Sequence, residues 1–411
     1  MSALGRKLAT FARVARAGGA RGVLETVRKN HASDVAAYRA TARILNAASA
    51  APDALPVLRR YGRPPLVLSF FGGIGDELLM TAVVHELRRR GHHGTWILTE
   101  FAEVWEENAG RDLVLPWDRR HGDFADVVGL NAIRPHYCYY DRARDVDVPP
   151  RQHILRLMCE RVGILGPITR KPRLVLRDDE CERGALVPNQ VVIQSAGLTA
   201  RFPTPTKQWF PERYQEVVDA RRGDVNFVQV GSPADPPIDG ALDLRGKTSV
   251  RETAAVMSRS LAFVGQVGML MHLARAVDCR GVIVYGGRER PDQSGYSCNE
   301  NLYRPVPCSP CWRVHTCPFE MACMRQVTAD DVVRALDRQL ARVGEPPAVD
   351  VDAIDPAPEA LVRGRDGRLL VRVRDVRGDP RTVEAKPLPP GAASTAPPGT
   401  PRPSAPRGAP R

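Results

Sequence analysis

The sequence lacks long apolar runs. No stretch of the 411 residues reaches the roughly 18 uncharged apolar residues that a transmembrane helix needs. The basic opening segment, MSALGRKLATFARVARAGG, also lacks the apolar core of roughly 7–15 residues that marks a signal peptide. We therefore expect no membrane-spanning segment and a cytoplasmic location.

Patterns typical of nucleic-acid-binding proteins are also missing. The sequence contains no aromatic-studded basic sheet, no zinc-finger spacing and no recognition-helix signature, so a nucleic-acid partner is not expected. The net charge of +12 is concentrated near the start, where residues 1–60 hold eleven Lys/Arg against Glu25, Asp34 and Asp53. This extension is predicted to form amphipathic helices. They either pack on the rest of the protein or contact an anionic inner membrane or glycolipid peripherally.

Disulfide spacing is not evident among the nine cysteines, and cytosolic proteins rarely contain disulfides. Four cysteines form a C-x2-C-x5-C-x5-C cluster, at Cys308, Cys311, Cys317 and Cys323. A C-x2-C turn directs two thiolates at one ion, and two more thiolates can complete a tetrahedron around zinc or iron. The cluster therefore predicts a structural metal site. The alternative is a group of reduced, buried thiols.

Strands alternate with helices along most of the chain, which is typical of α/β folds with parallel sheets. The first array has a strand at 66–71, a glycine turn and a helix at 77–90, followed by a strand at 95–100 and a helix from Phe101. Its further elements are strands at 136–140 and 174–176 and a helix at 153–162. The pattern restarts near Pro188, with strands predicted at 191–194, 226–230, 262–265 and 282–285 and helices at 211–221, 250–260, 269–277 and 329–343.

Two such arrays predict two Rossmann-like domains that face an interdomain cleft, with ligands at the carboxyl ends of the strands. The predicted division is a basic helical extension at 1–60, a first domain at 61–185, a second domain at 188–343 and a Pro/Gly-rich tail at 344–411. The tail is expected to be largely disordered, except for a hairpin around Asp366-Gly367.

The glycine turn before the first helix reads Gly72-Gly73-Ile74-Gly75-Asp76-Glu77. Glycines such as Gly73 and Gly75 allow close approach of a ligand, and a helix N-terminus favours negative charge. Asp76 either complements the helix dipole or acts as a catalytic carboxylate. The dinucleotide fingerprint is incomplete, because a third glycine at the required spacing is missing, and hydride transfer is therefore disfavoured.

The segment FFGGIGDELLMTAVVHELRRRGH resembles the opening of glycosyltransferase family 9, the ADP-heptose:lipopolysaccharide heptosyltransferases. The residues that match are Gly75, Asp76, Leu78 and Thr81. The resemblance implies a GT-B fold, a nucleotide-diphosphate sugar donor such as ADP-heptose, and inversion in a single displacement. It places the role of general base on Asp76, and a carboxylate can take the proton of an attacking hydroxyl.

A second family segment is matched by VVIQSAGLTARFPTPTKQWFPERYQEVVDA. Lys207, Trp209 and Pro211 fit the family's Lys-x-Trp-Pro pattern, with one residue inserted. The resemblance places the diphosphate beside Lys207 and four loop residues, Ser195, Gly197, Thr199 and Arg201. A cation there stabilises the charge that develops on the leaving group. The alternative is a solvated loop lysine paired with a surface acid.

The third match covers the family's L-x-G-x-T-S strand end and its nucleotide loop, and it involves Gly246, Thr248, Gly268 and His272. The family's acidic residue is Gln266 here. Gln266 can hydrogen-bond a sugar or ribose hydroxyl without carrying charge, so a donor other than ADP-heptose is also open. His272 either contacts phosphate or is a satisfied helix histidine.

A fourth strand end supplies Gly287 and Arg288, which either hold phosphate or lie on the surface. The cysteine cluster resembles a cysteine-rich insert found before the last helix of family members, including a branch that glycosylates proteins and binds iron. The function predicted from the sequence is transfer of heptose or a related sugar to a glycan acceptor such as lipopolysaccharide core. The alternatives are a protein O-heptosyltransferase, a sugar-nucleotide epimerase or a non-catalytic scaffold for a sugar nucleotide or metal.

Overall fold

The computed structural model describes residues 35–374 and 379–389. The helices are α1 (Val35–Tyr61), α2 (Ile74–Arg89), α3 (Arg119–Val127), α4 (Ile154–Arg161), α5 (Asp178–Arg183), α6 (Pro211–Arg221), α7 (Val250–Ser258), α8 (Met269–Ala276), α9 (Pro291–Ser294), α10 (Ala322–Arg325) and α11 (Ala329–Leu340). The strands are β1 (Val67–Ser69), β2 (Trp96–Leu98), β3 (Leu113–Leu115), β4 (Ala132–Ile133), β5 (Tyr140–Asp141), β6 (Val146–Asp147), β7 (Gly166–Thr169), β8 (Gln190–Ile193), β9 (Asn226–Gln229), β10 (Leu242–Asp243), β11 (Ala262–Gln266), β12 (Gly281–Gly286), β13 (Glu300–Tyr303), β14 (Val351–Ile354), β15 (Leu361–Arg363), β16 (Leu369–Arg374) and β17 (Pro380–Glu384).

Contacts divide the chain into two compact units. Among the described residues, the first contains 35–71, 92–105 and 109–135, and the second contains 72–91, 106–108, 136–374 and 379–389. No helix in the described part combines the length and the apolar character needed to cross a bilayer.

The first unit is built on a parallel sheet with the strand order β3-β2-β1-β4. Helix α1 packs against α3 through a stripe of small residues, Ala47, Ala50 and Ala54, that meets the buried ring of Phe124. Their spacing of three and four residues places the alanines on one helix face. The described end of the predicted basic extension is therefore a packed helix, and residues 1–34 lie outside the described part.

The second unit contains a six-stranded parallel sheet with the order β10-β9-β8-β11-β12-β13. The register pairs Ile193 of β8 with Gln229 of β9 on one side and with Val264 of β11 on the other. Strand order therefore reverses between β8 and β11, where an open parallel sheet leaves a crevice at the strands' carboxyl ends. Helix α11 covers this sheet with Val332, Ala335 and Leu336, which are fully buried.

Three elements of the first array differ from the prediction. The helix expected from Phe101 is only a 3₁₀ turn, Ala102–Trp105. The segment expected to form a strand at 174–176 is extended chain without a neighbouring strand. Side chains hold the residue before it: Thr81 Oγ1 accepts a hydrogen bond from the Arg173 amide, and the Asn108 side chain donates one to the Arg173 carbonyl. The strand expected at 136–140 begins only at Tyr140, where β5 pairs antiparallel with β6.

The prediction of a largely disordered tail from 344 is wrong for its described part. Strand β14 pairs antiparallel with β7, matching Val351 with Thr169, and β15, β16 and β17 form an antiparallel sheet. The hairpin around Asp366-Gly367 is confirmed, with Gly367 at a φ of 80°. Alternating apolar residues, with Val371 and Val373 buried, give the segment a face to pack that its overall Pro/Gly composition hides.

The strands of one parallel sheet come before the predicted boundary at residues 185–188, and the strands of the other come after it. The two compact units are defined by contacts between residues, not by the position of the sheets along the chain. They place α2 in the same unit as strands β8–β13. The domain boundaries at 61–185 and 188–343 therefore stay a prediction.

Candidate active site

Helix α2 begins against the start of α8 in the second unit. A Cβ added to Gly75 would lie 3.4 Å from the Met269 Cα and 3.8 Å from the His272 ring. Even a methyl group at this position would touch α8, so the two helix N-termini lie close together. Because each N-terminus carries partial positive charge, their meeting point favours a negative group.

Asp76 lies at this meeting point, in the first turn of α2. Its Oδ2 accepts a hydrogen bond from the Gly73 amide at 2.7 Å, and its Oδ1 accepts one from the Tyr137 hydroxyl at 2.7 Å. Burial raises the pKa of the Asp76 carboxyl above its usual range, while both hydrogen bonds and the charge of Lys207 act in the opposite direction. Asp76 is therefore oriented by two donors and has a higher proton affinity than an exposed aspartate.

Lys207 ends the short 3₁₀ turn Pro205–Lys207 that follows the loop after β8. Its Nζ lies 2.8 Å from Oε1 of Glu289, and its side chain remains 25% exposed. Because its charge lowers the pKa of both Asp76 and His272, the ammonium group lies within electrostatic reach of both side chains. The structure therefore brings the two residues predicted as catalytic into one neighbourhood.

The carboxylate of Glu289 forms an ion pair with the ammonium group of Lys207. The same carboxylate also accepts hydrogen bonds from Arg288 Nη1 at 3.1 Å and from the Ser294 hydroxyl at 2.8 Å. Burial alone would raise the pKa of Glu289, but the charges of Lys207 and Arg288 outweigh burial and lower it to about 2. Glu289 is thus a buried carboxylate that stays ionised.

Arg288 is buried, not on the surface. Its guanidinium donates to Asp147 at 2.8 Å, to the Arg313 carbonyl at 2.6 Å and to Glu289, and it lies 4.9 Å from the centre of the Trp312 ring. These partners satisfy hydrogen-bond donors of the Arg288 guanidinium inside the protein. Arg288 therefore supports the site and holds the β6 segment, and its contact with phosphate stays a prediction.

His272 lies in the first turn of α8 and is buried. Its Nδ1 lies 2.7 Å from the Tyr296 hydroxyl, and the two rings meet edge to face. Burial lowers the pKa of His272 to about 4, and the charge of Lys207 contributes in the same direction. The ring is therefore neutral near pH 7 and offers a hydrogen bond without a charge.

Gln266, at the end of β11, is buried and belongs to a network of amides. It donates to Gln208 Oε1 at 2.9 Å, and that same oxygen accepts a hydrogen bond from the Gly197 amide at 2.9 Å. The Gln266 oxygen accepts from the backbone of Trp209 at 3.4 Å. The predicted Gln266 and Gly197 are thus brought together at the point where strand order reverses.

Several predicted ligand residues are used in the structure to shape loops. Ser195 is buried between the Pro236 carbonyl and Gln229. Gly246 has a φ of 66°, and a Cβ there would lie 2.3 Å from Pro233. Thr248 bonds Thr253 beside the capped start of α7, and a Cβ on Gly287 would lie 2.2 Å from the Ser309 hydroxyl oxygen.

Other predicted residues are open to solvent or to space. Thr199 and Arg201 are exposed in the loop after β8. A Cβ on Gly268, at the N-cap of α8, would meet no atom within 4 Å, and one on Gly73 would meet only the Asp76 side chain. These positions leave room for a ligand next to Asp76 and His272.

The four clustered cysteines are free thiols. Burial raises the pKa of Cys308 and of Cys323, and both are raised further by Cys311 and Cys317, so the four lie in one neighbourhood. Across residues 35–374 and 379–389, however, no three His, Cys, Asp or Glu side chains are arranged so that they could hold a metal ion. The predicted metal site is therefore not formed in this part of the chain, because side chains that lie in one neighbourhood need not have the geometry of a ligand set.

The sequence analysis did not predict the roles of three residues of the site. Tyr137 bonds Asp76, Gln208 bonds Gln266 and Gly197, and Glu289 pairs with Lys207. Tyr137 and Glu289 fall inside segments whose pattern indicates only a strand or a strand end, and their partners are distant in sequence. Gln208 directly follows Lys207 inside a matched motif, which was the one available signal for it.

Several solved glycosyltransferase structures are similar to this chain. TibC of enterotoxigenic E. coli H10407, a bacterial iron-containing dodecameric glycosyltransferase, has a TM-score of 0.53 at 16% identity, covering 70% of this chain and 81% of its own. The dodecameric heptosyltransferase TibC in complex with ADP-D-β-D-heptose has a TM-score of 0.52 at 14% identity, covering 68% and 77%. A family 9 glycosyltransferase from Veillonella parvula DSM 2008 has a TM-score of 0.48 at 16% identity, covering 67% and 97%.

Sequence comparison gives no corresponding match: neither a protein-family profile nor a curated protein matches the chain. At 14–16% identity, the likeness to the TibC structures shows the fold. The predicted α/β fold of the GT-B class is confirmed, and the resemblance to glycosyltransferase family 9 is confirmed at the level of that fold.

Proposed function

We propose that this protein is a glycosyltransferase that transfers a sugar from a nucleotide-diphosphate donor to an acceptor hydroxyl. The observation that carries the proposal is the juxtaposition of Asp76, held by Gly73 and Tyr137, with the ammonium group of Lys207 where α2 meets α8. A carboxylate and a cation at one crevice are the two groups that such a displacement requires.

The proposed reaction is a single displacement with inversion. The acceptor oxygen forms a bond to the anomeric carbon, its proton passes to Asp76, and the bond to the diphosphate oxygen breaks. Lys207 and the two helix N-termini stabilise the negative charge that develops on the departing diphosphate. Because the raised pKa of Asp76 reflects stronger proton affinity, the carboxylate is a better base than an exposed aspartate.

For the donor we propose ADP-heptose first, since the TibC structure that shares the fold contains ADP-D-β-D-heptose. For the acceptor we propose a glycan or glycolipid such as lipopolysaccharide core, with a protein acceptor as the alternative. A cytoplasmic location and peripheral membrane contact through the basic N-terminus stay predictions from the sequence. Turnover decides between an enzyme and a scaffold that only holds a sugar nucleotide.

A panel of nucleotide sugars tests the proposal. Thermal unfolding is measured with ADP-, GDP-, UDP- and dTDP-sugars, and one base is expected to stabilise the protein. A ligand at about one hundred times its Kd adds about 2.7 kcal/mol to the free energy of unfolding. A response to none of them would contradict the proposed function.

The Tyr137→Phe variant is expected to shift the acid limb of the pH–rate profile to higher pH. The hydroxyl bond of Tyr137 lowers the pKa of Asp76, so its removal lets burial raise the pKa of the base further. At alkaline pH, where Asp76 is ionised in both proteins, the rate should fall by less than about tenfold. Tyr139→Phe, at an exposed tyrosine nearby, is the control, and an unmoved acid limb in Tyr137→Phe would contradict this role.

A further inference from the structure

A cavity of about 230 Å³ lies between helix α4 and the strands β14 and β16. One wall comes from α4 and the residues beside it, and the opposite wall comes from residues 354–357, Ala360 and residues 371–373. All of these residues belong to the second unit, and none of them forms part of the candidate active site. The cavity is therefore a separate place where a ligand can bind.

The volume of the cavity limits the size of its ligand. At roughly 30 Å³ for each water-sized group, the cavity holds about eight non-hydrogen atoms. Pockets for drug-sized ligands measure roughly 300–1,000 Å³. A nucleotide sugar is therefore too large for this cavity, and the ligand has to be a small molecule.

The wall that α4 contributes carries charge. Arg156 and Glu160 are four residues apart, so they lie on one face of the helix, and both line the cavity. Arg156 Nε is buried without a hydrogen-bond partner. Within residues 35–374 and 379–389, neither side chain forms a hydrogen bond or an ion pair. A buried donor left in this state costs free energy, which a bound acceptor would recover.

The carboxylate of Glu160 also gains from a bound partner. Burial raises the pKa of Glu160, although the charges of Arg156 and Arg161 act in the opposite direction. A cationic group beside this carboxylate would compensate for its burial. Asp355 lines the same cavity from an exposed position and adds a second carboxylate. The polar part of the cavity thus offers one cation for an anionic group and carboxylates for a cationic group.

The opposite wall is apolar. Its buried side chains include Ile354, Val371 and Val373, and Leu165 adds a further apolar surface. Arg372 stands between the two valines and is exposed. Because side chains alternate along a strand, the guanidinium of Arg372 lies on the other face of β16. This wall therefore fits the hydrocarbon part of a ligand.

The three surfaces together select a class of ligand. A simple anion would bring its charge next to Glu160, and a simple cation would leave Arg156 Nε without a partner. An entirely apolar molecule would leave both charged side chains uncompensated. A molecule with an anionic group, a cationic group and a short apolar chain satisfies all three surfaces.

We propose that this cavity binds a small zwitterion with an apolar side chain, which is the chemistry of the aliphatic amino acids. The ligand's carboxylate pairs with Arg156, its ammonium group pairs with Glu160, and its side chain packs on Val371 and Val373. The inference does not depend on the proposed function, because the cavity shares no residue with the candidate active site. It assigns the sheet β15–β17 a part in forming a binding site.

Calorimetry on the full chain tests the inference, with L-valine, L-leucine and L-isoleucine as the probes. At least one of them is expected to bind with a Kd of about 1 mM or tighter. The best of the three is then compared with two analogues, one that lacks the amino group and one that lacks the carboxyl group. Each analogue is expected to bind at least about tenfold more weakly, because each loses one charged partner.

Two variants locate the ligand. Arg156→Met and Glu160→Gln are each expected to weaken binding of the best probe by about tenfold or more. Arg151→Met is the matched control, because Arg151 is an exposed arginine just before α4 that does not line the cavity. Thermal unfolding of Arg156→Met should not shift to lower temperature, since its buried Nε has no partner to lose. Weaker binding by this variant would then not be explained by unfolding.

The inference is overturned if none of the three amino acids binds the wild-type protein. Equal binding of the analogue without the amino group would make the cavity a simple anion site, and equal binding of the analogue without the carboxyl group would make it a simple cation site. Either result contradicts the proposed zwitterion. Unchanged binding in both Arg156→Met and Glu160→Gln would place the ligand elsewhere and also overturn the inference. All of these outcomes leave the proposed function in place.

Discussion

Asp76→Asn is expected to lower the rate of sugar transfer by about two to four orders of magnitude, which is the usual contribution of a positioned general base. Asparagine keeps the size of the side chain and one acceptor for the Gly73 and Tyr137 donors, but it cannot take a proton. The measurement is steady-state transfer to the acceptor, followed by donor hydrolysis in the absence of acceptor.

The matched control is Asp330→Asn, because Asp330 is also in the first turn of a helix but is exposed. This control should transfer sugar at the wild-type rate. Calorimetric binding of the donor to Asp76→Asn should stay within a few-fold of wild type, since the proton is moved only during reaction. An Asp76→Asn protein that transfers sugar at a rate near wild type would remove Asp76 from the role of base.

The acid side of the wild-type pH–rate profile follows from the same residue. Asp76 must be ionised to act, and burial raises its pKa above the ordinary aspartate value. The rate should therefore begin to fall at a higher pH than for an exposed aspartate. The raised pKa also means that the ionised form is less favourable in the folded state, so this group costs stability above the ordinary aspartate pKa.

Lys207→Ala is expected to lower the rate of transfer by about two to three orders of magnitude, the usual effect of removing one group that stabilises developing charge. Lys207→Arg should recover part of the rate because it restores the charge. Lys247→Ala, at a lysine whose side chain is 61% exposed, is the control. Transfer by Lys207→Ala at the wild-type rate would show that the diphosphate is held elsewhere.

Lys207→Ala is also expected to destabilise the protein, because the buried carboxylate of Glu289 loses one of its three hydrogen-bond donors. A loss of about 1–3 kcal/mol in the free energy of unfolding is expected at neutral pH. Glu289 has a pKa lowered to about 2, so its ionised form stabilises the fold above the ordinary glutamate value and loses this effect as the pH falls. Glu289→Gln added to Lys207→Ala should recover stability but not transfer, which separates the two roles of the lysine.

The sequence predicted the parts of the site that lie inside short motifs. Asp76 follows a glycine turn after β1 of the first sheet, whereas Lys207 comes after β8 and Gln266 ends β11, which are neighbouring strands of the second sheet. The order of the motifs along the chain was therefore enough to predict which strand ends carry the candidate site. The helices α6 and α8 were predicted to within one residue, and α11 begins where predicted but ends at Leu340 instead of residue 343. Their apolar positions repeat with the period of a helix.

The remaining features depend on contacts between distant segments. Nothing near Tyr137 indicates that its hydroxyl meets Asp76, and the burial of Arg288 follows from Asp147 and Trp312, which belong to other segments. Composition also misled at the tail, where Pro and Gly conceal β14, which needs β7 as a partner, and the three strands β15, β16 and β17. The cysteine spacing indicated convergence correctly, but spacing does not determine whether thiols adopt the geometry of a metal site.

The pairing of β7 with β14 affects how the protein emerges from the ribosome. Roughly 180 residues separate the paired segments, so at typical rates of synthesis β7 waits about 10 to 40 seconds for its partner. During that interval its hydrogen-bonding edge is open to other nascent chains, which is the usual route to misassembly of an uncovered strand. A segment made late therefore protects one made earlier, and chains that stall before β14 is made are the form most exposed to aggregation.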